Sequence, residues 1–274
     1  MPIKNILVTY NGTESADTAL AYALRLAAAN DAHLTGVLSH SVDYATASLG
    51  PYATAELLQI IEKNESQVRE EIAGKFVKGT SGAGRDAKVH WLDVRGSTDN
   101  AVMEIARTFD VVIMGQDMTE GVEAHYATHP DTVARDCARP VIVVPKGYAP
   151  EALVHRAVVA WDGRNAAARA VAAALPMMED MEHVTVLTVD TPEEGQHSAH
   201  AMVTHLARHG IMTEHTDIPA KRGVGQTIVN YCAERGVGLL VMGAYEHSKM
   251  AEDLFGGTTN RVLRNSKVPV LMTH

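Results

Sequence analysis

The sequence predicts an α/β protein made of two tandem, doubly wound, open parallel sheets. Three observations carry this reading. Short uninterrupted Val/Ile/Leu runs such as "VVIM", "VIVV" and "LLVM" lack polar alternation, as strands buried on both faces do. These runs alternate with helix-length Ala/Leu segments, which implies right-handed crossovers and a parallel sheet. The whole order then repeats once along the 274 residues. Aromatic residues make up only 5% of the chain against 46% hydrophobic, so small aliphatic side chains form the core. That suits helices packed on a buried sheet.

Taken in order, the first half opens with a strand near 3–9, a turn at Asn11-Gly12-Thr13 and a long Ala/Leu helix. Further strands are expected near 34–39, 87–93, 110–114 and 141–144. "KGYAPEALV", residues 146–154, reads as a linker from its Gly and Pro content. The second half repeats strand, turn and helix around Trp161-Asp162-Gly163, with strands near 157–161, 183–189, 212–217, 238–242 and 268–272. The expected units are 1–147 and 152–274.

The repeat is not uniform. Asp162 stands 151 residues after Asn11, whereas Gly243 follows Gly115 by 128 and Pro269 follows Pro140 by 129. The second half is therefore shorter in its middle. The stretch "SHSVDYATASLGPYATAELLQIIEKNESQVREEI" has no full-length counterpart there. Its acidic "NESQVREE" portion reads as a solvated helix face with charge pairs.

Bulk properties narrow the function. A net charge of −9 without a basic run disfavours nucleic acid and anionic membrane surfaces. Cys137 and Cys232 lie in amphipathic segments with no CxxC pair, and read as buried thiols in a reducing compartment. "MPIKNILVTY" leads directly into a strand and no apolar run reaches bilayer length, so a cytoplasmic location is expected. No Gly-x-Ser-x-Gly elbow is present, and neither cysteine has a neighbouring His or basic cluster to favour a thiolate. His197 and His200 lie three apart, and His205 and His209 four apart, on a predicted helix. Such pairs share a face and can ligate zinc, but nothing nearby completes a ligand set, so a solvated face is the reading and no structural metal is expected.

In an open α/β sheet, ligands sit beyond the carboxyl ends of the strands. In the second half that places Asp162-Gly163, Gly243-Ala244 and Gly256-Gly257-Thr258-Thr259 at the site. Consecutive glycines let backbone approach a phosphate, helix-start amides point at it, and Thr hydroxyls add hydrogen bonds. The same Gly-Gly-Thr is equally an ordinary turn in which Thr caps the helix and no ligand is needed.

"AVVAWDGRNAAARA", "LLVMGAYEHSKMAEDLFGGTTNRVL" and "VPVLMTH" resemble the universal stress protein family, and the resemblance covers essentially the whole chain as a tandem of two such domains. It implies a strand order 3-2-1-4-5 in each half and a loop pattern Gly-x2-Gly-x9-Gly-[Ser/Thr] before the last helix. By that pattern Asp162 faces the ribose or a bound cation and Val189 lies against adenine. Gly243 opens the loop, and Gly256, Gly257, Thr258 and Thr259 hold the phosphates. The chain departs from the pattern at two places: Glu246 replaces the second glycine, and Gly257 takes the Ser/Thr position, with Thr displaced to 258. A carboxylate beside a triphosphate is repelled unless a cation intervenes. His247, Ser248 and Lys249 follow and read as a charged surface loop.

The first half departs further. Asn11 replaces the Asp, and Thr128, His129 and Pro130 stand where the second half has Gly256, Gly257 and Thr258. Pro130 suits a first helical position but offers no amide. Gln116, Asp117 and Met118 fill the loop start. The expectation is that this half binds no ATP and serves as a structural or regulatory partner.

The resemblance thus implies a stress-response binding or signalling module taking ATP or AMP in its second half, with Mg²⁺ if ATP. Two rivals stay open: a nucleotide-independent protein-interaction scaffold, and a slow Mg-dependent ATP hydrolase using Asp162. In the implied strand order the terminal strands "RPVIVVP" and "VPVLMTH" lie on sheet edges, where exposed apolar strands invite pairing. Pairing them with each other gives an intramolecular pseudo-dimer, with a further homodimer left open.

Overall fold

The structure is a computed structural model describing residues 2–41, 54–81, 88–117, 124–149, 154–244 and 257–274. Glu246, His247, Ser248, Lys249, Gly256 and Met118 lie outside the described residues, as does part of the expected linker.

The first half contains β1 (Asn5–Thr9), α1 (Glu14–Asn30), β2 (His33–His40), α2 (Ala55–Thr80), β3 (Val89–Arg95), α3 (Thr98–Ala106), β4 (Val111–Gly115), α4 (Pro130–Asp136) and β5 (Val141–Val144). The second contains β6 (Arg156–Ala160), α5 (Asn165–Met178), β7 (His183–Val189), α6 (Glu193–Arg208), β8 (Thr213–Ile218), α7 (Val224–Glu234), β9 (Leu239–Gly243), α8 (Thr258–Asn265) and β10 (Val270–Thr273). The strands fall where the apolar runs place them, because a strand buried on both faces leaves a continuous hydrophobic trace.

Local chemistry starts and stops the helices. Thr13 caps α1, its side chain accepting from Ala16 N at 3.1 Å, and Asp31 ends it in the left-handed conformation. Pro130 occupies the start of α4, where a missing amide costs nothing. The extra middle segment of the first half contributes α2, 26 residues against 16 in α6. Phe76 anchors α2 within an aromatic cluster, its ring centroid 5.5 Å from Tyr10 and 4.8 Å from Trp91. The "NESQVREE" stretch is the solvated helix face with charge pairs expected at Asn64, Gln67, Glu70 and Glu71, and departs from it at the half-buried Glu65 and Arg69. Arg69 pairs with the exposed Glu62 at 3.1 Å and with Asp93 of the edge strand at 3.5 Å, and Glu65 reaches the buried His125 ring at 2.9 Å. Glu65 therefore meets residues 125–126 at the sheet end rather than solvent alone.

The ten strands form one sheet in the order β3-β2-β1-β4-β5-β10-β9-β6-β7-β8. Each half has the order 3-2-1-4-5, all parallel, and the halves join where β10 pairs antiparallel with β5. Val270 faces Val143, Leu271 faces Ile142 and Met272 faces Val141. Ile142 and Leu271 point into the core under α1, α2, α5 and α6, while Val141, Val143, Val270 and Met272 point into the core under α3, α4, α7 and α8. Both cores therefore cross the seam. Among the described residues no helix is long and apolar enough to cross a membrane.

One backbone contact recurs in both halves and sets the mouth of each sheet. A Cβ on Gly115 would lie 2.5 Å from Ser15 O, and a Cβ on Gly243 would lie 2.6 Å from Ala167 N. Each glycine ends the fourth strand of its half and lets the first helix of that half press against the strand.

Two predictions follow from this packing. Leu271→Ala, which hollows the seam, is expected to cost about 2–5 kcal/mol, read as a lower urea midpoint. Gly115→Ala and Gly243→Ala are each expected to lose about 1–3 kcal/mol through overpacking. A Gly243→Ala protein as stable as wild type would show that the close approach is not what requires the glycine.

Candidate functional site

At the carboxyl ends of β6, β7 and β9, and at the starts of α7 and α8, lies a cleft of about 600 Å³, within the range of small-molecule sites. Asp162, Val189, Gly243, Gly257, Thr258 and Thr259 all line it. The seventh expected residue, Gly256, lies outside the described residues.

The first wall follows β6. Trp161 N donates to Leu187 O at 2.8 Å, extending the β6–β7 ladder by one residue. The buried indole donates to Ser198 Oγ at 3.1 Å, which ties the cleft wall to α6. The chain then turns sharply. Asp162 Oδ1 accepts from Arg164 N at 3.0 Å, and Gly163 takes φ +77°, a conformation that favours glycine. This local turn leaves the exposed Asp162 carboxylate at the cleft margin.

The second wall ends β7. Val189 is half-buried and packs against the core below, and Asp190 turns away at φ +49° while its N–H donates to Ile218 O at 3.0 Å. Beneath the turn is a polar network that the sequence reading missed. Thr188, 1% exposed, donates its hydroxyl to Asp217 Oδ1 at 2.5 Å and sits 2.9 Å from His215 Nε2. Asp217 Oδ1 also accepts from Thr191 N at 3.4 Å, so one carboxylate fixes the rim on both sides of Asp190. Burial, then the neighbouring His200, hold the His215 imidazole below its ordinary pKa against the opposing pull of Asp217. His215 and Asp217 alternate along β8, a period-2 signal visible in sequence, but their partner Thr188 requires the β7–β8 register.

The third wall is the start of α8. Gly257 is its N-cap, with no side-chain cap, and Thr258 is its first helical residue. The reading in which Thr caps this helix is therefore not the one that forms. Thr259 is buried at 4% and Thr258 is half-buried. Gly243 contributes backbone to the cleft, but its glycine requirement comes from Ala166 and Ala167 behind it. Gly115 meets the same requirement in the half that lacks the motif.

In the first half the equivalent space is covered. Asn11, 6% exposed, donates Nδ2 to Tyr126 O at 3.3 Å and accepts from Thr13 Oγ1 at 2.9 Å. Tyr126 and His125 both bond Glu65 of α2. His129 N donates to Asp99 Oδ1 at 2.8 Å, with its ring Nδ1 2.9 Å from Oδ2, so a protein carboxylate already holds the amide before Pro130. Asp117 N donates to Ser15 Oγ at 3.0 Å, and Gln116 Nε2 donates across the seam to Leu263 O.

The histidine face of α6 does not gather. His205 and His209 rings lie 4.9 Å apart, whereas His200 Nδ1 lies 2.7 Å from Gln196 O and its ring packs on His215 at 4.8 Å. Among the described residues no group of three or more His, Cys, Asp or Glu converges on a metal position. Both cysteines are buried and free; burial pushes the Cys232 thiol up to about 12 and raises Cys137 as well.

Comparison with known proteins places this architecture. A family model described as the universal stress protein family matches residues 2–145 and 220–274. A universal stress protein of Synechocystis sp. is 22% identical over 292 residues, covering 98% of this chain and 99% of that protein. The crystal structure of a universal stress protein from Archaeoglobus fulgidus superposes with a TM-score of 0.75 at 16% identity, over 98% of this chain and 96% of that one. A protein of unknown function from Pseudomonas aeruginosa superposes at 0.59, also at 16% identity, over 99% and 92%. These structural likenesses establish the fold. The family match reaches into both halves, taking in all five strands of the first and the α7–β10 region of the second, so the chain belongs to the universal stress protein family.

Proposed function

We propose that the second half binds an adenine nucleotide, ATP or AMP, and that the protein acts as a stress-response binding or signalling module. The observation that supports this most is the convergence of Asp162, Val189, Gly243, Gly257, Thr258 and Thr259, from four separate segments, on one cleft of nucleotide size. In this reading adenine lies against the half-buried Val189 and the ribose meets Asp162. The phosphates lie over Gly257 and Thr258, with Gly256 completing the cradle.

The chemistry is that of binding rather than turnover. The start of α8 supplies backbone dipoles oriented toward an anion, and Gly257 at the N-cap lets a phosphate approach without a side chain in the way. With ATP, Mg²⁺ would be held by the triphosphate and the Asp162 carboxylate, of which one oxygen is engaged by Arg164 N. Such recognition requires no general base. The first half, with its helix-start amide taken by Asp99, acts as the structural partner.

Calorimetry with ATP and AMP, with and without Mg²⁺, tests the proposal. Wild type is expected to bind on the order of micromolar, about 8 kcal/mol, with one nucleotide per chain. Gly257→Val should weaken this at least tenfold, and Asp162→Ala should weaken ATP more than AMP. If wild type fails to bind at millimolar nucleotide while Glu246→Gly binds, the site is a disabled one and the scaffold reading replaces it. Trp161 also lines the cleft. Nucleotide is therefore expected to change the tryptophan fluorescence of wild type, and a Trp161→Phe protein, which retains Trp91, should lose that change.

A further inference from the structure

Among the described residues, two that are not glycine take a positive φ, Asp31 and Asp190, both at 49°. The conformation is uncommon outside glycine, and aspartate is one of the side chains that tolerate it. Asp31 has a local reason. It ends α1, and its N–H closes the helix on Ala27 O and Ala28 O. Asp190 follows a strand instead, and its conformation is imposed by its neighbours. Its own N–H donates to Ile218 O at 3.0 Å, and the next one, on Thr191, donates to Asp217 Oδ1 at 3.4 Å. Thr191 O accepts from Gln196 Nε2 at 3.2 Å. Backbone held by its surroundings in a sparsely populated conformation clusters at ligand sites.

The side chain so positioned is an exposed carboxylate that lines the same cleft as Asp162 and Val189. The cleft has two unlike ends. β9, β6 and β7 lie side by side in that order. The start of α8, which favours an anion, follows β9, and Asp190 follows β7. Two strand spacings, roughly 10 Å, separate the strands that lead to them.

Charge decides how a nucleotide lies between these ends. A carboxylate beside a phosphate is repelled. With its phosphate over Gly257 and Thr258, the ligand therefore turns an uncharged part toward Asp190. An ionised carboxylate only accepts hydrogen bonds, so that part must donate. A ribose diol offers two adjacent donors, which the two carboxylate oxygens can accept together. An acidic side chain that meets a ribose hydroxyl is a recurring device of dinucleotide-binding α/β sheets. Asp162, with one oxygen engaged by Arg164 N, then lies on the other side of the same sugar.

We infer that Asp190 is a specificity-determining residue of the second-half cleft, accepting hydrogen bonds from the 2′- and 3′-hydroxyls so that the site distinguishes ribonucleotides from deoxyribonucleotides. The inference rests on the nucleotide reading of the cleft and adds which part of the ligand is read by hydrogen bonding.

Calorimetry on the full chain with AMP and 2′-deoxy-AMP tests it, using wild type, Asp190→Asn and Asp190→Gly. Both replacements accept the left-handed backbone, so neither strains the turn. Wild type is expected to bind AMP at least about tenfold more tightly than 2′-deoxy-AMP, the scale of a charge-assisted hydrogen bond. Asp190→Gly should bring the two affinities together, and Asp190→Asn, which keeps one acceptor oxygen, should fall between. Removing the carboxylate also relieves a repulsion on the phosphate, but that acts on both nucleotides alike, so their ratio is the readout. A merely structural role would likewise leave the ratio unmoved. Should Asp190→Gly not fold, the near-isosteric Asp190→Asn decides. Equal affinities in wild type, or a ratio that survives both replacements, would overturn the role of Asp190 while leaving the nucleotide reading in place. Binding of neither nucleotide by wild type would remove both.

Discussion

The backbone pairing of β5 with β10 is the contact around which the rest of the molecule is arranged. Left alone, each half would present a short apolar edge strand with a row of unpaired N–H and C=O groups, an invitation to association. The antiparallel ladder consumes both edges at once. Its side chains alternate between the two faces, so Ile142 and Leu271 extend one core while Val143 and Val270 extend the other. The free edges of the finished sheet are β3 and β8, whose exposed positions carry charged or polar residues such as His90, Asp93, Glu214 and Asp217. Apolar edges are spent inside and polar edges face out, a distribution that keeps a ten-stranded sheet from growing further.

Within this frame the halves have diverged by changing what sits at the sheet mouth rather than the sheet itself. The strand order and the Gly115/Gly243 contacts are shared. The first half has added the length of α2, and Glu65 from that helix meets His125 and Tyr126 over the end of the sheet. The second half has a shorter helix at the equivalent place, and its described residues form a cleft at the sheet mouth.

Much of the fold was legible in the chain itself. Strands buried on both faces leave unbroken Val/Ile/Leu runs, and the loss of register between the repeats marks the longer middle of the first half, where α2 lies. The site was legible only where it depends on local chemistry. Gly257, Thr258 and Thr259 stand in sequence as they stand in the cleft, but the choice of Gly257 over a Thr as N-cap is a matter of backbone angles. The glycine at 243 was visible, yet the reason for it, the backbone of Ala166 and Ala167, lies more than seventy residues away in sequence. The Thr188–Asp217 contact and the Asn11–Tyr126 roof are likewise cross-strand or long-range events. Periodicity and spacing encode one element at a time, so contacts fixed by register between elements escape them.

The antiparallel sense of the seam has one more consequence. Strands of the two halves run in opposite directions through a single sheet, so the carboxyl end of one half points the same way as the amino end of the other. The two mouths therefore look out from opposite poles of the molecule. A body docking flat against either pole meets one mouth together with the strand beginnings of the opposite half, never both mouths together. The chain is a two-ended object whose ends differ in chemistry.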